Sequence, residues 1–171
     1  LIYQVSTGFL DPSSITYPYR NLFLGKENIH FYMGELQRIV LEEKKVILDS
    51  GALEYDKLVI ATGTKTNFFG LKNLERHAIP MKTVEDALNM RNVLLQRLEE
   101  ATKIKDKSLR LPYITMVIAG GGPTGVEISG IFAELRNTRI RKEFPELVGA
   151  GGKIYLVNGG NELLSPMSEK S

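Results

Sequence analysis

The sequence predicts an α/β chain, a parallel sheet with helices packed on it, joined to a small antiparallel β-meander. Three observations carry this expectation. Apolar residues recur with period two between Asn28 and Asp49, and with helical period between Thr83 and Lys103. Apolar runs at Leu58–Ala61 and Tyr113–Ala119 each stop abruptly at a glycine turn. A short apolar run that ends in glycine reads as a buried parallel strand whose carboxyl end approaches a ligand.

Taken in order, "LDPSSITYPYRNLF" offers Ser13 or Ser14 as the N-cap of a short helix, with Ile15, Tyr19, Leu22 and Phe23 at helical spacing. Pro18 fits the first turn, where its missing N–H has no partner to lose. Beyond it, Ile29, Phe31 and Met33, then Leu36, Ile39 and Leu41, then Val46 and Leu48 alternate as strands, and Glu42–Lys45 make the hairpin turn. Thr83 and Asp86 form a capping box for a helix whose apolar face runs through Val84, Ala87, Leu88, Leu94, Leu95, Leu98 and Ala101. A basic loop, Lys103 to Arg110, then leads into the strand Tyr113–Ala119.

Composition narrows the function. The 171 residues are 43% apolar, enough for a core, and their net charge of +2 is spread along the chain, so no basic stripe marks a nucleic-acid partner. No cysteine is present, which removes disulfides, thiolate nucleophiles and Cys-ligated metals, so redox chemistry requires a borrowed cofactor. The only histidines, His30 in a strand and His77 in a loop, share no context that makes a metal site or a triad. No targeting segment is visible, and the apolar span 111–135 is broken by Gly120, Gly121, Gly122, Pro123 and Glu127, unlike a bilayer helix. The chain starts at Leu1 and stops soon after a second parallel strand, which reads as a segment of a longer protein.

Residues 120–125, Gly-Gly-Gly-Pro-Thr-Gly, fit G-x-G-x-x-G between a strand and the helix "GVEISGIFAELRN". In that setting Gly120 permits the tight turn and Gly122 lets the backbone approach a pyrophosphate. Gly125 allows close packing of helix on strand, and the helix N-terminus holds the negative charge, with Gly121, Pro123 and Thr124 completing the loop. The following strand, "KIYLVNGG", ends in Asn158, where an acidic residue usually binds the adenine ribose. An amide still bonds a 2′-OH but does not repel a 2′-phosphate, so the pattern leans only slightly to NADH over NADPH. From Gly125 to Asn158 is 33 residues against about 20 expected. The excess, "RKEFPELVGAGGK", reads as a surface loop. Glu127 stands in the first turn of the helix, either as a residue favoured there by the helix dipole or as a carboxylate facing a nicotinamide.

The stretches "YQVSTGFLDPSSI", "YDKLVIATGTKTNFFG", "MKTVEDALNMRNVLLQRLEEA", "IAGGGPTGVEISGIFAELR", "EFPEL" and "IYLVNGGNELLSPMSEKS" occur in that order. Together they resemble the two-dinucleotide-binding flavoproteins, and more narrowly the type II NADH:quinone oxidoreductases. The resemblance implies an incomplete pair of Rossmann-like domains, with residues 1–78 part of an FAD-binding domain and 79–171 the N-terminal part of an NAD(H)-binding domain. It further implies hydride transfer from NADH to FAD and electron transfer to a membrane quinone, in a peripheral protein on the cytoplasmic side of the inner membrane that can form a homodimer. By the same resemblance Ala61, Thr62 and Gly63 lie against FAD, the backbone around Gly34, Glu35 and Leu36 meets the adenine, and Thr7 lies near the flavin ring. Gly120, Gly122 and Gly125 hold the NADH pyrophosphate, and Glu127 lies by nicotinamide and flavin. Plainer readings stand beside these: Thr7 as a loop hydroxyl, Leu36 as a core side chain, Thr62-Gly63 as a strand terminator. The family's first glycine motif, its later Gly-Asp motif, its quinone-site residues and its membrane anchor are not in this sequence. A chain of this extent is therefore expected to bind FAD poorly and to be inactive by itself. Two alternatives stay open, a soluble FAD- and NAD(P)H-dependent reductase and a non-catalytic dinucleotide-binding module.

Overall fold

The computed structural model describes residues 1–165 and Met167; the end of the stretch "SPMSEKS", at 166 and 168–171, lies outside the described residues. In chain order the helices are α1 (Ile2–Ser6), α2 (Tyr19–Leu22), α3 (Lys72–His77), α4 (Val84–Lys103), α5 (Leu111–Ile114), α6 (Pro123–Leu135) and α7 (Arg141–Glu143). The strands are β1 (Leu36–Val40), β2 (Lys45–Leu48), β3 (Gly51–Glu54), β4 (Met116–Ala119) and β5 (Ile154–Val157). The chain divides into two compact units, Leu1–Ile15 with Thr66–Ser171, and Thr16–Lys65.

The first unit is organised by α4. Its capping box forms as expected: the Asp86 N–H donates to Thr83 Oγ1 at 3.0 Å, and Asp86 Oδ2 accepts the Thr83 and Lys82 N–H groups, each at 2.9 Å. Ala87, Leu94, Leu98 and Ala101 are buried, whereas Leu95 turns outward, a full residue step away from the stripe. Ile128, Phe132 and Leu135 repeat at i, i+4 and i+7 on α6 and meet Leu94, Leu98 and Ala101 in one core. Strands β4 and β5 pair in parallel from Met116 opposite Ile154 to Ala119 opposite Val157. Met116, Ile118 and Ile154 pack on that core, and the alternate residues Val117, Tyr155 and Val157 are exposed. On the other side α1 packs on α4, burying Val5 and Ala87 completely.

Four expectations differ from the structure here. Strand β4 begins at Met116, not Tyr113, because Leu111–Ile114 forms a helical turn with Pro112 in its first two positions, where a missing N–H is harmless. The excursion after α6 is not a surface loop. It runs through a π turn, Arg136–Ile140, into α7 and a 3₁₀ turn, Pro145–Leu147, and it buries Phe144, Leu147 and Ala150. Nor is the basic stretch wholly a loop: Lys107–Arg110 forms a 3₁₀ turn, and Arg110 is buried, with Nε donating to the Ile104 carbonyl at 2.8 Å and Nη1 to the Glu146 carbonyl at 2.6 Å. This guanidinium ties the end of α4 to the excursion. His77 closes α3 and does not sit in a loop.

The second unit is the antiparallel meander in the order β1-β2-β3. Leu41–Lys44 form the expected turn between β1 and β2, and β2 pairs with β3 from Lys45 opposite Glu54 to Leu48 opposite Gly51. Strand β3 is an addition to the expected pattern. Ile29, His30, Phe31 and Met33 lie outside any strand. Ser13 and Ser14 are not the N-cap of a continuing helix: they belong to a separate 3₁₀ turn capped by Asp11, while α2 starts afresh after Pro18. Leu58–Ala61 does not form a buried strand; Val59 is 86% exposed and Ile60 63%. An apolar run becomes a strand only where a neighbour takes its backbone hydrogen bonds, and no described strand pairs with this one. Strands of four or five residues in a lone three-stranded sheet enclose little, and no residue of this unit is fully buried. Leu36, one of the expected core side chains, is exposed.

Substitutions at two places, the α4 cap and Phe144, test this packing in the full-length protein. Thr83→Ala should cost about 1 kcal/mol in a urea titration, the usual worth of an N-cap hydroxyl. Slight burial works against the Asp86 charge, but the N–H groups of Lys82 and Thr83 and the Thr83 hydroxyl outweigh it and hold the carboxyl below the ordinary 3.8. A depressed pKa makes its contribution complete above that ordinary value and lost as pH falls through the lower folded one, so Asp86→Asn should flatten the acid limb of a stability profile. Second, Phe144→Ala should cost about 3 kcal/mol, as for a buried aromatic side chain; a loss within about 0.5 kcal/mol would restore the surface-loop reading.

Candidate functional site

The glycine loop lies between β4 and α6. Gly120 ends the strand with φ +113°, a conformation that L side chains rarely adopt, and its N–H continues the ladder to the Val157 carbonyl at 2.8 Å. Gly122 is the N-cap of α6, its carbonyl accepting the Val126 N–H at 3.1 Å. No side chain caps this helix, and Pro123 opens it. A Cβ at Gly120 or Gly122 would meet open space, whereas one at Gly125 would overlap the Gly120 carbonyl oxygen. The loop is thus open on the side a ligand would take and closed where helix meets strand. Its fit to a pyrophosphate is direct: exposed backbone, the positive end of a 13-residue helix and no side chain in the way.

The start of the helix revises one position. Because Pro123 fixes the first helical φ, α6 begins two residues before Gly125, so Glu127 is its fifth residue, and the first turn holds no acidic residue. The dipole argument for Glu127 therefore falls. Its side chain is exposed beyond the first turn, with no hydrogen bond or ion pair among the described residues.

Sequence reasoning missed a link at the head of α6, where the Tyr3 hydroxyl donates to Thr124 Oγ1 at 3.0 Å, joining α1 to the glycine loop across 121 residues. Thr7, on the same segment, is buried, and its hydroxyl donates to the Tyr3 and Gln4 carbonyls at the end of α1. Arg139 holds the adjacent turn, donating to the Gly8 carbonyl at 2.8 Å while its guanidinium stands 5.9 Å from the Phe9 ring centre. No local pattern signals either contact, because both join distant parts of the chain.

Asn158 stands at the carboxyl end of β5, as expected. Its Oδ1 accepts the Gly121 N–H at 3.2 Å, and its Nδ2 donates to the carbonyls of Gly160 at 3.2 Å and Glu162 at 2.8 Å. Thr7, Gly120 to Gly125, Glu127 and Asn158 all belong to the first unit; Leu36, Ala61, Thr62 and Gly63 belong to the second. Glu35 turns both backbone groups toward Asp49, donating to its Oδ1 at 2.9 Å and accepting its N–H at 3.1 Å. Antiparallel alternation then directs the Leu36 N–H and carbonyl to the open edge of β1. Ala61, Thr62 and Gly63 are exposed and irregular.

A β4–α6–β5 unit with glycine at the carboxyl end of its first strand is the beginning of a Rossmann-type dinucleotide-binding fold. Residues 6–171 match the family model "Pyridine nucleotide-disulphide oxidoreductase", and the chain belongs to that family. Two type II NADH:quinone oxidoreductases of Mycobacterium tuberculosis, Ndh and NdhA, are 29% and 31% identical over 99% of this chain. The structure of NDH2 from Plasmodium falciparum in complex with NADH superposes with a TM-score of 0.84 at 29% identity, over 99% of the chain. The chain spans 36–38% of the length of these relatives. The family binds FAD and NAD(P)H. Among the described residues no helix is long and apolar enough to cross a membrane.

The glycine geometry makes a paired prediction. Gly125→Ala should prevent stable folding, since neither the Gly120 carbonyl nor the α6 backbone can yield, while Gly122→Ala, with φ −76° and open space, should leave the melting temperature within a few degrees of the parent.

Proposed function

We propose that this chain carries the beginning of the NADH-binding domain, and part of the FAD-binding domain, of an FAD-dependent NADH dehydrogenase that passes electrons to a membrane quinone. The observation that carries the reading is the open backbone of Gly120 and Gly122 at the uncapped head of α6. The division falls near residue 78, with 79–171 holding NADH and 1–78 facing FAD.

In this reading Gly120 to Gly125 hold the NADH pyrophosphate by backbone N–H groups and helix charge, with Thr124 oriented by Tyr3. Glu127, unpaired on the exposed face of α6, lies by the nicotinamide and orients it. Leu36 offers its edge N–H and carbonyl to the adenine of FAD, and Ala61, Thr62 and Gly63 approach the flavin. The flavin, when bound, accepts the hydride and delivers electrons singly or in pairs. In this reading the whole protein meets a membrane quinone, attaches peripherally on the cytoplasmic face of the inner membrane and pairs into a homodimer.

The test uses the full-length protein under anaerobic conditions. Flavin absorbance should bleach on adding NADH and return on adding a short-chain quinone, and Glu127→Gln should slow the bleaching about tenfold or more while NADH affinity changes little. Absence of flavin, or a reduced flavin that quinone cannot reoxidise, overturns the proposal.

A further inference from the structure

We infer that Asn158 is a positioning residue that clasps the glycine loop, and that it does not read the adenine ribose. Three hydrogen bonds define the clasp, one accepted from the Gly121 N–H and two donated to the Gly160 and Glu162 carbonyls. They occupy the carboxamide at both ends. The same segment returns to Gly121 a second time, where the Leu164 N–H, on a residue with φ +57°, donates to the Gly121 carbonyl at 2.8 Å. Both backbone groups of Gly121 are thus held by residues 158–164.

The clasp accounts for the middle glycine, which the nucleotide motif leaves unspecified. Gly121 is buried, and a Cβ there would stand 2.6 Å from Leu163 Cδ2 and 2.7 Å from Asn158 Cγ. Space that a side chain would fill at 121 is filled by the clasp. With the Gly121 peptide fixed from both sides, the neighbouring peptides of Gly120 and Gly122 are presented to the ligand already oriented, and binding does not have to order them. For Nδ2 to donate to a ribose hydroxyl it would have to release the Gly160 or Glu162 carbonyl, and a carboxamide swung toward the ribose would leave the buried Gly121 N–H without an acceptor.

Asparagine is therefore chosen over aspartate for a local reason. An aspartate would still accept the Gly121 N–H, but its second oxygen would face the two carbonyls that now accept from Nδ2. This inference rests on the dinucleotide reading of the loop only for its effect on affinity; the clasp itself stands on the geometry.

The deciding experiment is titration calorimetry of the full-length protein with NADH and with NADPH, for the parent and for Asn158→Asp. A clasp predicts that the aspartate weakens both nucleotides by the same factor, about tenfold, and lowers the melting temperature. A ribose reader predicts the opposite pattern, NADH held as tightly or more tightly and NADPH rejected, and that result would sink the inference. If Asn158→Asp does not fold, amide hydrogen exchange of the parent decides instead. Gly121 stays protected when NADH binds if the clasp holds, and loses protection if Asn158 swings to the ribose. Should the parent bind neither nucleotide, the proposed function fails, while the melting temperature of the aspartate variant and the protection of Gly121 without ligand still judge the clasp.

Discussion

The first unit depends on one close approach, that of Gly125 on α6 to the carbonyl of Gly120 at the end of β4. A helix can lie this near a strand end only where the residue facing the carbonyl, Gly125, brings no Cβ into the gap. That approach fixes where α6 points, and the rest follows from its direction. Its head meets the open backbone of Gly122, and its apolar stripe, Ile128, Phe132 and Leu135, falls across Leu94, Leu98 and Ala101 of α4. Packing and site are therefore not separate properties here: the contact that seats the helix in the core also aims its positive end.

What lies downstream of α6 holds that position from the far end. The chain passes through a π turn at Arg136–Ile140, and Phe144 and Leu147 come back onto the core beside α4. Arg110 closes the arrangement by donating to carbonyls on both sides, at Ile104 and Glu146, so the end of α4 and the excursion are joined by a buried cation that has no carboxylate partner among the described residues. A guanidinium suits this role, since its donors are several, rigid and divergent.

The legible parts of the sequence are those whose cause is local. The capping box of Thr83 and Asp86, the stripe of α4 and the glycine loop all rest on residues within one or two turns of each other, and each forms as the pattern implies. Start points were less legible, because Pro112 and Pro123 favour helical first turns that apolar spacing alone does not register. Phe144 and Leu147 were hidden by the polar, proline- and glycine-containing company they keep. Leu58–Ala61 shows the converse: its composition suits a buried strand, but burial and pairing are properties of neighbours. The engagement of Asn158 with Gly121 spans 37 residues, and nothing near either residue announces it.

Strands β4 and β5 are covered on one side only. One face of this parallel pair, through Met116, Ile118 and Ile154, is packed, and the other, through Val117, Tyr155 and Val157, is open although equally apolar. Parallel sheets are built with both faces covered, and strands with apolar residues on both sides are the sequence signature of that arrangement. Val117 and Val157 would cost stability as solvent-facing residues of a finished sheet. They fit one that receives a second layer, as does the uncovered run at Val59 and Ile60 in the other unit.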